Sequence, residues 1–468
     1  VVDDDAAARE SLEALLLSAG HEVETFESGE AFLEAYSPDW AGCAVLDVRM
    51  PGLSGLQVQE ELANRNATLP VIIVTGHGDL PMAVRAMQAG ALDFIEKPYE
   101  EERLFESVEL AVQTGQEQAE ASLALAALRE RLEHLTPRER EVLVEVNNLS
   151  VEFQTTEGVL RAVTGLSYTV SQGETVAILG ESGSGKSVSI EALMGIIDPP
   201  NGRITSGEIR FRGTNLLTMP TTLRHRINGE HIAMIFQDAL AALNPSQTVG
   251  TQIGEMFTLH RGIRRHEAFQ YAIELMNRVR IPAAAKRAHC YPHEFSGGMR
   301  QRIMIATAIA LEPEVLIADE PTTALDVTVQ SQIMDLLTEL RTERNMGLVL
   351  VSHDLGVVAD VADRVLVMYA GQIMECGPLR EVYRTPGHPY TIGLLNSIPN
   401  NQSPRGRLQP IKGLPPSPVA IPPGCPFHPR CPSAIELCRR VLPSLEKLPG
   451  TNRASACHRK HEVLENAG

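Results

Sequence analysis

The chain has 468 residues, 43% hydrophobic and 21% charged, a soluble globular composition too long for one core, so two to four domains are expected. No run approaches the ~20 apolar residues a membrane span needs, and no signal peptide opens the chain. Residues 1–143 carry 28 Asp/Glu against 10 Lys/Arg and residues 144–468 carry 31 of each, so the net charge of −18 sits in the first third and neither part is basic enough to bind nucleic acid by charge alone. The first residue is Val1, which implies that the natural start lies upstream.

Val1-Val-Asp3-Asp4 reads as the end of a strand whose carboxylates emerge at its C-terminal edge. A helix from Glu10 to Ala19 follows, then a strand near His21–Phe26, and Ala44-Val-Leu-Asp47 as another strand ending in an acid. Val71–Thr75 ends a fourth strand in a hydroxyl, and Phe94-Ile-Glu-Lys97-Pro98 ends a fifth in an ammonium. In a parallel doubly wound sheet those strand ends share one crevice, where ligands bind. Three crowded carboxylates call for a divalent cation, and hard oxygen donors suit Mg²⁺. One carboxylate is then a nucleophile toward a phosphoryl group, whose oxygens Thr75 and Lys97 could bind.

Through V-V-D-D, L-D-V-R-M-P-G, V-T-G-H-G-D and D-F-I-E-K-P, residues 1–120 resemble the receiver domain of a bacterial response regulator, close to the FixJ kind. The resemblance implies a flavodoxin-like fold, Mg²⁺ on Asp3, Asp4 and Asp47, phosphoryl acceptance at Asp47, and a histidine kinase as donor. It also implies switching at Thr75 and Phe94, oxygen pairing by Lys97, and a cis bond before Pro98. Residues 100–134 read as helical, and 116–132 as a linker helix whose apolar stripe either forms a dimer seam or packs on its own domain. Leu135–Leu143 resembles the opening helix of a LuxR-type helix-turn-helix, with Thr136 as cap and Pro137 in the first turn. The rest of that reader is absent, so residues 121–143 are expected to be a linker and a truncated start that binds no specific DNA.

Val144–Phe153 alternates as an edge strand with Val163–Val170 as its partner. Thr175–Leu179 then reads as a buried strand, followed by Gly180-Glu181-Ser182-Gly183-Ser184-Gly185-Lys186-Ser187 and a helix. Strand, glycine-rich loop and helix in that order make G-x-x-x-x-G-K-[ST] a phosphate site. Its glycines turn successive N–H groups into one concavity, and the helix N-terminus adds partial positive charge. Lys186 is expected on the terminal phosphates and Ser187 on Mg²⁺. Val315-Leu-Ile-Ala-Asp319-Glu320 is a second buried strand that ends in acids, and Leu348–Ser352 a third, ending at His353.

The motifs of residues 144–393 arrive in the order of an ABC nucleotide-binding domain, which they resemble. The resemblance implies that Gln237 senses Mg²⁺ and water, and that Ser296-Gly297-Gly298 is the signature loop, with Met299 where many relatives have Gln. It gives Asp319 to Mg²⁺ through water, Glu320 to the attacking water, Asp326 to the D-loop and His353 to the γ-phosphate. Two such domains pair head to tail, each ATP lying between one P-loop and the other's signature loop. Phe153 either stacks on adenine or is core. The segment between Gln237 and Ser296, with helical patterning at Ala268–Val279, is expected to meet a membrane permease.

The tail, 394–468, opens after Thr385-Pro-Gly-His-Pro-Tyr-Thr391 and carries Cys425, Cys431, Cys438 and Cys457 in C-x₅-C-x₆-C-x₁₈-C spacing. The pattern lacks paired C-x₂-C knuckles, and four thiolates could hold zinc or an iron–sulfur cluster. Cys43, Cys290 and Cys376 are scattered and read as inert thiols. With G-E-S-G-S-G-K-S, F-S-G-G-M, H-P-Y-T and G-C-P-F-H-P-R-C-P, residues 144–468 resemble the ATP-binding subunit of Dpp/Opp-type dipeptide and oligopeptide importers. That resemblance implies a [4Fe–4S] cluster on the four cysteines, permease partners, pairing with itself or with a related second ATPase subunit, of which the family favours the latter, and a peripheral place on the cytoplasmic face of the bacterial inner membrane. The leading expectation is ATP hydrolysis that drives peptide import, with the receiver as passenger in a fusion of unrelated modules. A signalling protein whose Asp47 phosphorylation gates the ATPase is the second reading. A non-transport interaction platform is the third, and the H-P-Y-T and cysteine tail argues against it.

Overall fold

The structure is a computed structural model that describes residues 1–37, 40–65, 67, 69–76, 83, 86, 87, 89–116, 141–197, 200–323, 325–397 and 411–467. It divides into two compact units, Val1–Glu133 and His134–Gly468. Residues 117–140, with most of the expected linker helix and helix-turn-helix start, lie outside the described residues, as do residues 77–79 of V-T-G-H-G-D.

In the first unit, Asp5 caps α1 (Ala6–Ser18) by accepting from the N–H groups of Ala7 and Ala8. Helices α2 (Gly29–Ala35) and α3 (Gly55–Asn64) have Ser28 and Ser54 as caps. Strands β1 (Ala44–Asp47), β2 (Val71–Thr75) and β3 (Asp93–Glu96) form a parallel sheet in that order. The two expected strands before β1 shrink to single bridges, Val2 pairing in parallel with both Phe26 and Leu46. The Val1 amino group donates to the Glu24 carbonyl (2.8 Å), the Phe26 N–H to the Val1 carbonyl (2.9 Å) and the Asp3 N–H to the Phe26 carbonyl (3.2 Å), and the Asp5 cap then turns the chain into α1. The spatial order is nonetheless Phe26, Val2, β1, β2, β3, that of a flavodoxin-like sheet.

Alternation along the strands builds both faces. Ala44, Leu46, Val71 and Ile73 pack with Phe32, Leu33, Val58 and Leu62 of α2 and α3. Val45, Ile72, Val74 and Ile95 pack with Leu12 and Leu16 of α1 and with Leu104 and Val108 of the helix at 101–116. Successive residues of a strand point to opposite faces, so each strand feeds both cores. The Lys97–Pro98 bond is cis.

The second unit opens with β4 (Val142–Thr155), which starts two residues before the expected Val144 and takes in the end of Leu135–Leu143. It pairs antiparallel with β5 (Gly158–Ser171) and with β7 (Gly202–Phe211), which turns into β8 (Thr214–Asn215). Between them, β6 (Thr175–Leu179) leads to α4 (Lys186–Met194). Strands β9 (Ile232–Ile235), β10 (Val315–Asp319), β11 (Gly347–Ser352) and β12 (Arg364–Tyr369) join β6 in the parallel order β9-β10-β11-β6-β12. Strands β6, β10 and β11 are buried throughout, the reason they read as unbroken apolar runs. Helices α5 (Val249–Arg261) and α6 (Arg265–Arg278) pack on α7 (Gly297–Ala308), and α8 (Val327–Arg344) follows β10.

The antiparallel strand β13 (Gln372–Pro378) carries the tail. After α9 (Pro389–Asn396), the chain returns as β14 (Glu446–Lys447) and β15 (Ala454–Ser455), and β15 pairs with β13, Ser455 opposite Glu375. A buried polar knot seals this seam. The Gly387 N–H donates to Glu375 Oε1 (2.6 Å), and the Ser455 hydroxyl donates to the Gly387 carbonyl (2.8 Å). His388 caps α9, its Nδ1 accepting from the Tyr390 N–H (3.0 Å), with Pro389 in the first turn. The H-P-Y string is therefore a helix start whose cap is a buried neutral imidazole, held down to about 3 by burial.

Burial pushes the Glu375 carboxyl up to about 7, although Arg453 lies 3.9 Å away. Between the unfolded value of 4.5 and about 7 the folded chain binds the extra proton, so stability from this group is complete at low pH and falls as pH rises through 7. Glu375→Gln is expected to flatten the pH dependence of the second unit's unfolding midpoint, by an amount on the order of 2–3 kcal/mol between pH 4 and 8. Calorimetry across that range checks it, and an unchanged slope would assign the wild-type pH dependence to other groups.

Candidate functional site

The glycine-rich loop 180–187 joins β6 to α4 with the geometry its sequence requires. Gly185, the residue before α4, has φ +97° and makes no side-chain cap, so the first N–H groups of the helix stay open to an anion. A Cβ there would sit 2.3 Å from the Ala162 carbonyl, so the position needs glycine for space as well as for conformation. The Lys186 side chain is buried, and its ammonium donates to the carbonyls of Gly180 (2.9 Å) and Glu181 (3.1 Å). Burial lowers its pKa, and the charges of Glu320, Asp319 and Glu181 oppose that shift.

At the end of β10, Asp319 Oδ1 accepts from the Ser187 hydroxyl (3.3 Å). Burial raises the Asp319 carboxyl above its usual range, and Glu320 adds to the rise while Ser187 and Lys186 oppose it. Glu320 has φ +44°, a left-handed conformation that costs a non-glycine residue of order 1 kcal/mol or more. The turn aims its carboxylate at three partners. Oε2 accepts from Gln237 Nε2 (3.0 Å) and from the Thr323 hydroxyl (3.0 Å), and it lies 3.2 Å from His353 Nδ1. Residues 186, 187, 237, 319, 320 and 353, drawn from four stretches that span 167 positions, thus form one connected set. A buried cation, an open helix N-terminus and a half-buried carboxylate have the chemistry to bind a phosphate and to polarise a water beside it.

The signature residues lie elsewhere. Ser296 precedes α7 with no side-chain cap, Ser296 and Gly297 are exposed, and Gly298 is half-buried against Val329. Among the described residues, none of 296–298 shares a hydrogen bond with the loop 180–187. Asp326 caps α8, accepting from the Val329 N–H (3.0 Å). Phe153 is half-buried and packs on the core beside Gly202. Ala324 of the D-loop string lies outside the described residues.

In the first unit, the Lys97 ammonium bridges Asp3 Oδ2 (2.7 Å) and Asp47 Oδ1 (2.9 Å) at the C-terminal ends of the strands. Burial works against its charge, but the hydrogen bonds and charges of Asp3 and Asp47 outweigh it and hold the pKa above the usual lysine value. Thr75 is buried at the end of β2, Phe94 is half-buried on β3, and Asp4 is exposed.

All seven cysteines are free thiols. Cys425 and Cys438 are buried, Cys431 and Cys457 half-buried, and the four lie close enough that Cys425, Cys431 and Cys457 each feel charge on others of the group. The Cys425 N–H donates to the Cys438 carbonyl (2.8 Å). Burial, reinforced by the neighbouring thiols, pushes Cys425 and Cys457 up to about 11, so both are protonated at neutral pH as the group stands. Among the described residues, no three His, Cys, Asp or Glu side chains are placed to share one metal ion, here or at Asp3, Asp4 and Asp47.

Sequence reasoning missed a set of residues that reach the glycine-rich loop from the tail. Arg430 makes a two-pronged ion pair with Glu181, Nη1 to Oε2 (2.5 Å) and Nη2 to Oε1 (3.0 Å), and the Tyr390 hydroxyl accepts from the Glu181 N–H (2.9 Å). Both lie inside quoted motifs, H-P-Y and C-P-F-H-P-R-C, but attention to the cysteines and the helix start hid them.

The family model for the response regulator receiver domain matches residues 1–109, that for the ABC transporter residues 163–323, and that for the oligopeptide/dipeptide transporter C-terminal region residues 374–438. The chain is 49% identical over 328 residues to the oligopeptide transport ATP-binding protein OppD of Salmonella typhimurium, a match that covers 70% of this chain and 97% of that protein. It is 47% identical over 316 residues to the dipeptide transport ATP-binding protein DppD of Haemophilus influenzae, covering 68% and 95%. With DppD of Bacillus subtilis the identity is 46% over 303 residues, covering 65% and 90%.

Proposed function

Because the chain belongs to the family of oligopeptide and dipeptide transport ATP-binding proteins and carries a receiver domain ahead of that region, we propose that its ATPase energises peptide import, with the set centred on Glu320 as the machinery. The single observation that carries this reading is the convergence of Gln237, Thr323 and His353 on Glu320 beside Lys186, Ser187 and Asp319. The N–H groups of residues 182–187 cradle the phosphates, and Lys186 exchanges its two carbonyls for phosphate oxygens. Ser187 and Asp319 hold Mg²⁺, which neutralises phosphate charge. Glu320 polarises the attacking water, held in line by Gln237 and His353. Phe153 supports the adenine, and Ser296, Gly297, Gly298 and Asp326 face the ATP of a second ATPase subunit, in keeping with the exposure of Ser296 and Gly297.

The helices between Gln237 and Ser296 expose Leu240 and Leu259, apolar surface suited to a permease on the cytoplasmic face of the inner membrane. No helix among the described residues is long and apolar enough to cross a membrane, so this reading assigns translocation to separate subunits. Glu320→Gln is expected to bind Mg-ATP as the wild type does and to hydrolyse it about 10²-fold or more slowly. Unchanged turnover in a steady-state assay would remove Glu320 from the mechanism.

The receiver reading rests on Lys97 between Asp3 and Asp47. Asp47 accepts a phosphoryl group from a histidine kinase, Asp3, Asp4 and Asp47 would hold Mg²⁺ once Lys97 no longer bridges Asp3 and Asp47, and Thr75 and Phe94 respond. As a passenger, the receiver leaves nucleotide handling alone, so beryllofluoride on Asp47 is expected to leave Mg-ATP affinity unchanged in the whole chain. A clear shift in a titration would favour the reading in which Asp47 gates the ATPase.

The four gathered thiols support a [4Fe–4S] cluster on Cys425, Cys431, Cys438 and Cys457, which would make their thiolates favourable in a buried place. Protein purified without oxygen is expected to contain iron and sulfide in equal amounts with broad visible absorption, lost in Cys431→Ser. Zinc without sulfide would overturn this assignment.

A further inference from the structure

We propose that Arg430 and Tyr390 are positioning residues for nucleotide binding, which act by fixing Glu181 of the phosphate loop from the tail. The inference rests on the reading of residues 180–187 as the ATP site. Position 181 is one of the variable places in G-x-x-x-x-G-K-[ST], so phosphate binding itself asks for no carboxylate there. Yet every polar group of Glu181 is engaged. Its N–H goes to the Tyr390 hydroxyl, its carboxylate to both prongs of Arg430, and its carbonyl to the Lys186 ammonium.

The anchoring side is rigid. The Arg430 side chain is 5% exposed, its Nε donates to the Lys412 carbonyl (3.2 Å), and its Nη1 and Nη2 also donate to the Tyr369 hydroxyl (3.3 Å) and the Ile411 carbonyl (3.4 Å). It lies 5.8 Å from the centre of the Tyr369 ring, and Tyr369, Tyr390 and Phe427 pack with centroids 4.6–5.3 Å apart. Arg430 adjoins Cys431, so the thiol group and the arginine share one loop. The Pro418 carbonyl accepts from the Arg161 N–H (3.3 Å), a second attachment of the tail close to the loop.

Two effects follow. ATP takes Lys186 away from the carbonyls of Gly180 and Glu181, and the loop must keep its N–H groups aimed inward while that partner leaves. Tyr390 and Arg430 do not leave, so the order is already in place before nucleotide arrives. Glu181 also brings a negative charge to a phosphate site, and Arg430 neutralises it with a charge-assisted, two-point pair. Removing Arg430 alone therefore exposes ATP to an unpaired carboxylate on its own loop.

The test is a cycle of Arg430→Gln, Glu181→Gln and the double variant in the whole chain, with Tyr390→Phe beside it. Mg-ATP affinity, KM and kcat are measured with the unfolding midpoint. Arg430→Gln is expected to weaken Mg-ATP binding about tenfold and to raise KM by the same factor, with kcat within about threefold. The double variant is expected to bind better than Arg430→Gln, because the unpaired carboxylate is gone, and Tyr390→Phe to weaken binding about threefold. Should Arg430→Gln fail to fold, Glu181→Gln and Tyr390→Phe carry the same comparison. Wild-type affinity in all variants that fold, effects of Arg430→Gln and Glu181→Gln that simply add, or a lowered midpoint with KM unchanged would each overturn the proposal. A wild-type chain that does not bind Mg-ATP would instead overturn the ATP-site reading beneath it.

Discussion

The second unit depends on one demanding arrangement, an ammonium buried at the mouth of a helix that leaves its own N–H groups unsatisfied. Lys186 loses hydration by burial and regains it only in part from two carbonyls and from the charges of Asp319, Glu320 and Glu181. Such a cation is ready to exchange weak neutral acceptors for an anion, provided that the backbone around it does not follow. The surrounding structure resists that movement. Gly185 lies against the Ala162 carbonyl, the Ser184 carbonyl accepts from the Gly371 N–H (2.9 Å), and Tyr390 holds the Glu181 N–H. The strained turn at Glu320 follows the same logic on the other wall, where three partners aim a carboxylate whose backbone would otherwise relax.

Much of this was legible in the sequence because each chemical residue ends an apolar strand. Asp47, Thr75, Asp319, Glu320 and His353 all follow runs that a buried parallel sheet needs, and such runs are short and unmistakable. The first two receiver strands were legible in place, while the turn from the first of them into α1 at Asp5 is an effect of local capping that apolar pattern does not carry. The tail was the least legible. Its residues fold by attachment to β13 and to the glycine-rich loop, through contacts more than sixty positions apart such as Ser455 to Gly387 and more than two hundred apart such as Arg430 to Glu181. Neither periodicity nor spacing reports on a pair that distant. The cysteines drew notice as a pattern, while the arginine beside them had no pattern to belong to.

Two lysines in this chain stand among carboxylates, and their surroundings send them in opposite directions. Lys97 is ion-paired directly with Asp3 and Asp47, and its pKa is held up. Lys186 sees its carboxylates without bonding to them, gives its protons to carbonyls, and has its pKa held down. The first arrangement suits a resident countercharge that keeps two carboxylates together and must be partly displaced before a cation can bind between them. The second suits anion binding, because a phosphate competes only with neutral acceptors and restores what burial removed. Direct pairing of Lys186 with Asp319 or Glu320 would satisfy the resting protein better and would close the site to phosphate. The geometry avoids it by giving Asp319 to Ser187 and Glu320 to Gln237, Thr323 and His353, so that each carboxylate is occupied and the lysine stays available.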